Sequence, residues 1–444
     1  MNSFSEEFST FKTSNGYIKN LRLYPFAADL NNDGDDDLVL FDRTYSKKRM
    51  SGQLAKYQEP ILLMSLSDGG YSIHSGFSEL GINCQVEQVV FADFDDNNFS
   101  DMFVTCYSDQ WEDQRSYLVQ NVDGKEFVDV TDNSGLAMTN IDYSLRVECA
   151  LPIDVNDDGL LDIYAASHLF VNLGKFKFED QAVNYGISKL FDEGCVFEDV
   201  NLDGQVDLVR HAPIHGPKFH FRSSSGAFVE REIDVHRENY SPNKELIYPY
   251  QGMNSVPINC SPYLNLIFGR DSGDSGRGRR VTESPVITQE GYSLSFVYSV
   301  FDGLKTRELS TGIAPNWGDI NSDFNVDLAR LIKRSDGYYS EILVSNKRCE
   351  NGVKIQFASN DGYRNKRGVK YTVRDKNYDY VREYILNPNR GYLNGNSYES
   401  LVHLPNNNEE FYLEFNQADG DLLNFRISRG MTYKFNGPQL ISSK

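Results

Sequence analysis

The chain has 444 residues, with 64 Asp and Glu against 44 Lys and Arg, and a formal charge of −20. That balance argues against nucleic acid as a partner, because phosphate backbones are held by cations. No run of eighteen apolar residues exists to span a bilayer, so membrane insertion is not expected.

The opening stretch, SEEFSTFKTSNGYI, has the shape of a turn and an outer strand. We expect it to close a ring of sheets against the last unit. An acidic segment, DLNNDGDDD, then starts at Asp29 and runs into the apolar LVLF. Four further copies follow: DFDDNNFSD from Asp93 before MFVTC, DVNDDGLLD from Asp154 before IYAA, DVNLDGQVD from Asp199 before LVR, and DINSDFNVD from Asp319 before LARLI. Positions 1, 3, 5 and 9 hold Asp29, Asn31, Asp33 and Asp37 in the first copy, and Asp93, Asp95, Asn97 and Asp101 in the second. The third has Asp154, Asn156, Asp158 and Asp162; the fourth has Asp199, Asn201, Asp203 and Asp207; the fifth has Asp319, Asn321, Asp323 and Asp327. Asp35, at position 7 of the first copy, offers its backbone carbonyl.

Alternating Asp and Asn in a tight turn can aim three side chains at one point. Carboxylates packed that closely repel unless a divalent cation sits among them. Hard cations such as Ca²⁺ take six to eight oxygens at about 2.3–2.6 Å. We therefore expect about five structural calcium sites. An EF-hand would need Glu at position 12 and flanking helices, whereas here Asp stands at position 9 and a strand-like run follows. Turns alone also collect Asp, Asn and Gly; the repetition in one register favours the metal. Gly34, Gly159 and Gly204 stand at position 6, where a left-handed backbone is expected. Asn98 tolerates that conformation, and Phe324 is a poor fit to it.

The copies start at 29, 93, 154, 199 and 319, spacings of 64, 61, 45 and 120. The last gap predicts a degenerate copy near residue 259. PINCSPYLNLIF, from Pro257, fits: it resembles PIDVNDDGLLDIY with the acids lost, Asn259 and Asn265 replacing the first and last Asp. Units of this length suit four-stranded antiparallel blades. The unit tails SDGGYSIHSGFSELGI, DGKEFVDVTDNSGLAM and GKFKFEDQAVNYGIS share a Gly turn, an aromatic strand and a Gly-hydrophobic end. The expected fold is all-β: a β-propeller of six to seven four-stranded blades over residues 1–360, with a small β domain over 361–444.

The acidic repeats resemble the FG-GAP/VCBS repeats of integrin α-chains. RGVKYTVRDKNYDYVREYI, NRGYLNGNSYESLVHL and FYLEFNQADGDLLNFRI resemble the ASPIC/UnbV domain of the cartilage acidic protein and UnbV-like family. Gly391-Tyr392-Leu393-Asn394 matches a GYLSQ motif, His403-Leu404-Pro405 is a decayed HFGLG, and Asn416-Gln417-Ala418-Asp419-Gly420 replaces WP-x-G. The resemblance implies a calcium-binding propeller in an extracellular or periplasmic setting. MNSFSEEFST lacks the design of a secretory leader, so a cytoplasmic placement also stays open. Tyr392 and His403 are expected to pack the small domain on the propeller.

If the acidic loops join strands one and two, the segments after the apolar runs decorate the other face. They carry Arg43, then Trp111 and Arg115, then His215, then Arg277, Arg279 and Arg280, then Arg334. Arg suits carboxylate, sulfate or phosphate, so an anionic glycan, small molecule or protein is the expected partner of a monomeric recognition or adhesion protein. Basic loops on an acidic protein also serve simple solvation. The rival reading is an enzyme of a bacterial biosynthetic pathway with Arg210, His211, Tyr107 and Arg270 at the channel mouth. No nucleophile elbow, HExxH, phosphate loop or dinucleotide fingerprint is present. His211, His215, His220 and His236 cluster in the chain; a transition-metal or acid–base role is open to them, and ordinary surface or cation-facing histidines are the expectation. Cys84, Cys106, Cys149, Cys195, Cys260 and Cys349 show no metal-type spacing; buried free thiols are expected, with disulfides as the alternative.

Overall fold

A computed structural model describes residues 10–13, 16–19, 23–42, 59–107, 115–138, 147–190, 192, 194–212, 216–232, 234–236, 253–255, 257, 260–262, 266–268, 282–288, 291–297, 316–319, 321–334, 337–345, 347–357, 370–385, 399–406, 409–416, 422–436 and 439–443. The chain is all-β. Among the described residues its strands form mainly antiparallel sheets, most of them four-stranded.

β1 (Thr10–Thr13) and β2 (Gly16–Lys19) pair only with each other in the described residues. The expectation that this stretch closes the last sheet is thus corrected: β1 lies beside β6, in the first sheet. That sheet is a meander of β3 (Leu23–Ala28), β4 (Asp37–Asp42), β5 (Ile61–Ser65) and β6 (Tyr71–Ile73). The second has β7 (Gln85–Ala92), β8 (Asp101–Tyr107), β9 (Tyr117–Asn121) and β10 (Phe127–Asp129). The third has β11 (Ala150–Ile153), β12 (Asp162–Ala165), β13 (His168–Asn172) and β14 (Phe178–Asp180). The fourth has β15 (Gly194–Glu198), β16 (Asp207–Ala212), β17 (Gly216–Arg222) and β18 (Phe228–Arg231).

In the fifth sheet, β19 (Asp234–His236) runs parallel to the last strand of a meander made by β20 (Met253–Ser255), β21 (Leu266–Phe268), β22 (Thr282–Thr288) and β23 (Gly291–Val297). The sixth shows β24 (Asn316–Gly318), β25 (Asp327–Arg334) and β26 (Gly337–Leu343). Each acidic segment joins the first and second strands of its sheet, and the degenerate segment from Pro257 joins β20 to β21 in the same way. Asn259 and Asn265 lie outside the described residues.

Side chains alternate between the two faces of a strand. In β7, Val89 and Phe91 pack with Val39, Phe41 and Leu62 of the first sheet, while Val90 joins Ala150, Ile163 and Phe170 of the third. Leu151 and Tyr164 then face Phe197 and Leu208 of the fourth sheet. Strands covered on both faces need apolar residues at every position, which is why the runs after the acidic segments are continuous rather than alternating.

The C-terminal strands form two sheets. β27 (Gly352–Phe357) pairs with β30 (Glu399–His403) and, in parallel, with β33 (Met431–Asn436), which pairs with β34 (Gln439–Ser443). The second holds β28 (Lys370–Asp375), β29 (Val381–Ile385), β31 (Phe411–Asn416) and β32 (Leu422–Ile427). The two share a core that includes Val353, Val373, Leu413 and Phe435.

The six cysteines form three disulfides, Cys84–Cys106, Cys149–Cys195 and Cys260–Cys349, with Cα separations of 5.7, 5.9 and 5.3 Å. This corrects the expectation of free thiols. Cys149 and Cys195 meet because the first strands of adjacent sheets run side by side, a proximity that chain spacing does not reveal.

Candidate metal centre

The five acidic segments fold alike. Position 4 is left-handed in all: Asn32, Asp96, Asp157, Leu202 and Ser322 have φ near 60°. Position 6 is left-handed too, including Asn98 at 71° and Phe324 at 61°. Phe324, the poor fit by sequence, adopts it as a buried residue, 5% exposed.

This backbone turns its N–H groups inward onto the acids. The position-1 carboxylate accepts from the N–H of positions 5 and 6 in every copy, for example Asp158 and Gly159 onto Asp154 at 3.2 and 3.1 Å, and Asp323 and Phe324 onto Asp319 at 2.9 and 3.0 Å. Asn31, Asp95, Asn156, Asn201 and Asn321 each accept the position-5 N–H. Position 5 accepts from position 7 in turn; Asp33 receives the N–H of Asp35 at 2.9 Å.

Position 9 acts as a clamp. Asp162 Oδ2 accepts the N–H of Val155 at 2.9 Å, and Oδ1 accepts that of Asn172, at the end of the third strand, at 2.7 Å. Asp37, Asp101 and Asp207 do the same with Leu30 and Ser65, Phe94 and Asn121, and Val200 and Arg222. Asp327 binds Asn321 and Ser345.

Sequence reasoning missed three residues that tie one loop to the next sheet. The amides of Asn121 and Asn172 donate to the position-2 carbonyls of the preceding loop, Leu30 at 2.8 Å and Phe94 at 2.9 Å. Arg222 donates likewise to Val155 O. The signal was present: Asn121-Val122-Asp123-Gly124 and Asn172-Leu173-Gly174 align just ahead of the shared tails.

Two oxygens bound to one calcium at about 2.4 Å lie no more than about 4.8 Å apart. Oxygens of Asp93, Asp95 and Asp101 all lie within 4.8 Å of one another. Among the described residues this is the acidic cluster whose ligand oxygens meet that separation. Burial works against charge here. It raises the carboxyls of Asp37 and Asp93 to about 6, those of Asp162 and Asp207 to about 7, and that of Asp199 to about 8.

Residues expected on the other face are brought together only in part. Arg43, Trp111, His215, Arg270, Arg277, Arg279 and Arg280 lie outside the described residues; Tyr107 ends β8 and Arg334 ends β25. Arg115 is engaged, with Asp132 at 2.8 Å and Asp129 at 3.5 Å, and lies over the Tyr117 ring. Arg210 is fully buried. Its Nε donates to His220 at 3.1 Å, and Nη1 donates to Ser167 and Ser188 O at 2.9 Å. Tyr164 bridges Arg210 to the buried Asp192, whose carboxyl burial raises to about 6. His220 accepts from Arg210, and burial lowers its imidazole to about 4. Arg210 thus acts as an internal tie, which corrects its reading as a substrate-facing residue. His211 is buried beside it on β16, so neither His211 nor His220 is at the surface, while His220 does face a cation, Arg210; the side chain of His236 lies outside the described set.

No family model matches the chain, and no curated protein sequence matches it. Solved structures overlap it loosely. The Vibrio cholerae biofilm matrix protein Bap1 aligns at 11% identity and a TM-score of 0.35, covering 96% of this chain and 76% of that one. A putative exo-β-1,3-galactanase from Bifidobacterium bifidum aligns at 12% and 0.37, covering 68% and 99%. The rhamnogalacturonan lyase YesW aligns at 13% and 0.34, covering 86% and 75%. Overlaps this loose define neither a ligand nor a reaction. Among the described residues no helix is long and apolar enough to cross a membrane.

Proposed function

We propose that the chain is a calcium-stabilised β-propeller of the FG-GAP/VCBS type, carrying a C-terminal ASPIC/UnbV-like domain, and that it serves recognition rather than catalysis. The observation that carries this reading is the five-fold recurrence of one acceptor-lined turn, at the same place in its sheet each time. In that reading the six sheets are blades. Asp29, Asp93, Asp154 and Asp199, with their partners at positions 3, 5 and 9, hold calcium and brace the turns between first and second strands. Ion binding adds stability by mass action, about 2.7 kcal/mol per site at a hundredfold excess over Kd. Terbium emission sensitised by nearby aromatics is the direct test. It should appear on titration, fall on adding calcium and weaken in Asp93→Asn. No terbium signal would remove the calcium.

The partner in this reading is an anionic glycan, small molecule or protein, bound by the basic loops opposite the acidic face. Loops on a rigid scaffold are where binding residues concentrate. Retention on immobilised polygalacturonate should be lost in the triple variant Arg277→Ser, Arg279→Ser, Arg280→Ser; unchanged retention would end the assignment of these arginines. Three disulfides favour an oxidising, extracellular or periplasmic setting, where calcium is also plentiful. The enzyme reading loses one of its four candidates, because the donors of Arg210 face the protein itself.

A further inference from the structure

We infer that Lys354 is the resident cation of the fifth acidic loop, and that this loop takes no calcium. The inference rests on the calcium reading of the other loops. Lys354 lies on β27. Its Nζ stands 3.0 Å from Asp319 Oδ2, and the two side chains are only 6% and 1% exposed. Asp319 is position 1, the residue on which the whole turn is built. Its oxygens already accept the N–H groups of Asp323 and Phe324. The ammonium adds a full positive charge on the carboxylate that would be a metal's first ligand. A dication on the same carboxylate would lie within a few ångströms of Nζ, with little water between to screen them.

The second, third and fourth loops differ at this point. In the second, Asp95 receives a neutral amide from Gln120 at 2.7 Å. In the third, Lys370 pairs with Asp157 at position 4 and reaches Asp154 only as a nearby charge. In the fourth, Asp199 receives the backbone N–H of Glu383 at 3.0 Å, and the nearby Arg382 guanidinium pairs with Glu198 instead. Among these loops and the described residues, the fifth has an ammonium paired directly with its first donor.

The fifth loop is also roofed. The N–H of Cys349 donates to Asp323 O at 2.9 Å, and His403 Nε2 lies 2.8 Å from Phe324 O. Arg348 sits over the Phe324 ring, 5.3 Å from its centre. Gly352 passes so close that a Cβ there would meet Phe324 Cβ at 2.4 Å. A phenylalanine at position 6 makes sense in this setting: the ring serves the joint to the C-terminal sheets. Lys354 and Asp319 thus replace an exchangeable ion by a covalently tethered one, at the place where the two halves of the chain meet.

The test is calcium stoichiometry by native mass spectrometry on protein stripped with chelator and refilled with calcium chloride. The wild type should carry four ions. Asp101→Asn should carry one fewer, Asp319→Asn the same number, and Lys354→Met one more, as the fifth loop opens to the metal. Five ions in the wild type would overturn the inference and leave the calcium reading standing. So would one ion lost in Asp319→Asn, or no gain in Lys354→Met. No ions at all in the wild type would overturn the calcium reading, and the inference with it. If the junction variants fail to fold, the wild-type count decides.

Discussion

Replacing Asp162 separates the structural part of an acidic loop from its ion-binding part. Asp162 is fully buried, and its two oxygens accept the N–H groups of Val155 and Asn172, residues that are themselves 0% and 1% exposed. Asp162→Ala leaves both donors unsatisfied without water. At about 1–3 kcal/mol for each stranded group, the loss is about 2–6 kcal/mol, a large share of the 5–15 kcal/mol that typically separates folded from unfolded protein. Asp162→Asn keeps one acceptor and should lose about half as much. Asp158, at position 5, is exposed and accepts the N–H of Leu160 at 2.8 Å. Asp158→Asn keeps that acceptor, so in chelator it should cost no more than about 0.5 kcal/mol. With calcium present it should lose the calcium increment as well. Urea unfolding followed by circular dichroism, run in EGTA and in calcium, measures all of these. Equal losses for Asp162→Ala and Asp158→Asn in EGTA would refute the clamp.

Other consequences are as direct. Closing the 46-residue loop of Cys149–Cys195 should stabilise the fold by about 4 kcal/mol through the unfolded chain; thiol titration of the denatured, unreduced protein should find no free thiol, and a count near six would contradict the pairing. Burial holds the folded-state carboxyls of Asp162, Asp207 and Asp199 at about 7, 7 and 8, above the unfolded value near 4. The folded metal-free protein then keeps protons that the unfolded chain releases, so the stability these three groups contribute is full below pH 4 and is lost as pH rises towards 8. Calcium should flatten that slope, an effect the distant His220 cannot produce; identical pH profiles with and without calcium would count against it. Gly186, at φ 73°, would place a Cβ 2.5 Å from Phe228 O, whereas a Cβ at Gly81, φ 68°, meets nothing within 4 Å. Gly186→Ala should cost about 2–4 kcal/mol and Gly81→Ala about 1 kcal/mol, and thermal melts that rank them the other way would show that the outer-strand contact is misplaced.

What could be read from the sequence was whatever is local. Side chains at positions 1, 3, 5 and 9 act within one turn, so Asp154 to Asp162 announce their geometry in nine letters. The apolar runs after each turn report burial on both faces, and the spacing places a turn at Pro257 even without its acids. Contacts between distant segments left no such mark. Asn121 reaches Leu30 across 91 residues, and Asn172 reaches Phe94 across 78. Cysteines 46 and 89 residues apart carry no spacing rule. Arg210 looked like a ligand residue because arginine near a strand end usually reaches solvent; here Tyr164, Ser167, Ser188 and His220 enclose it. Lys354 is one lysine among many until the fold sets it on Asp319.

Whether calcium holds these loops can be measured directly. The measurement is the melting temperature of the disulfide-intact protein in millimolar calcium, in EGTA, and in EGTA with excess magnesium. Calcium should raise the melting temperature well above its value in EGTA. Magnesium should not restore it, because a smaller ion demanding near-ideal octahedral geometry does not suit an Asp/Asn cage of this size. A melting temperature unmoved by chelation would contradict the account at its base, and the acidic turns would then be braced by their own hydrogen bonds alone.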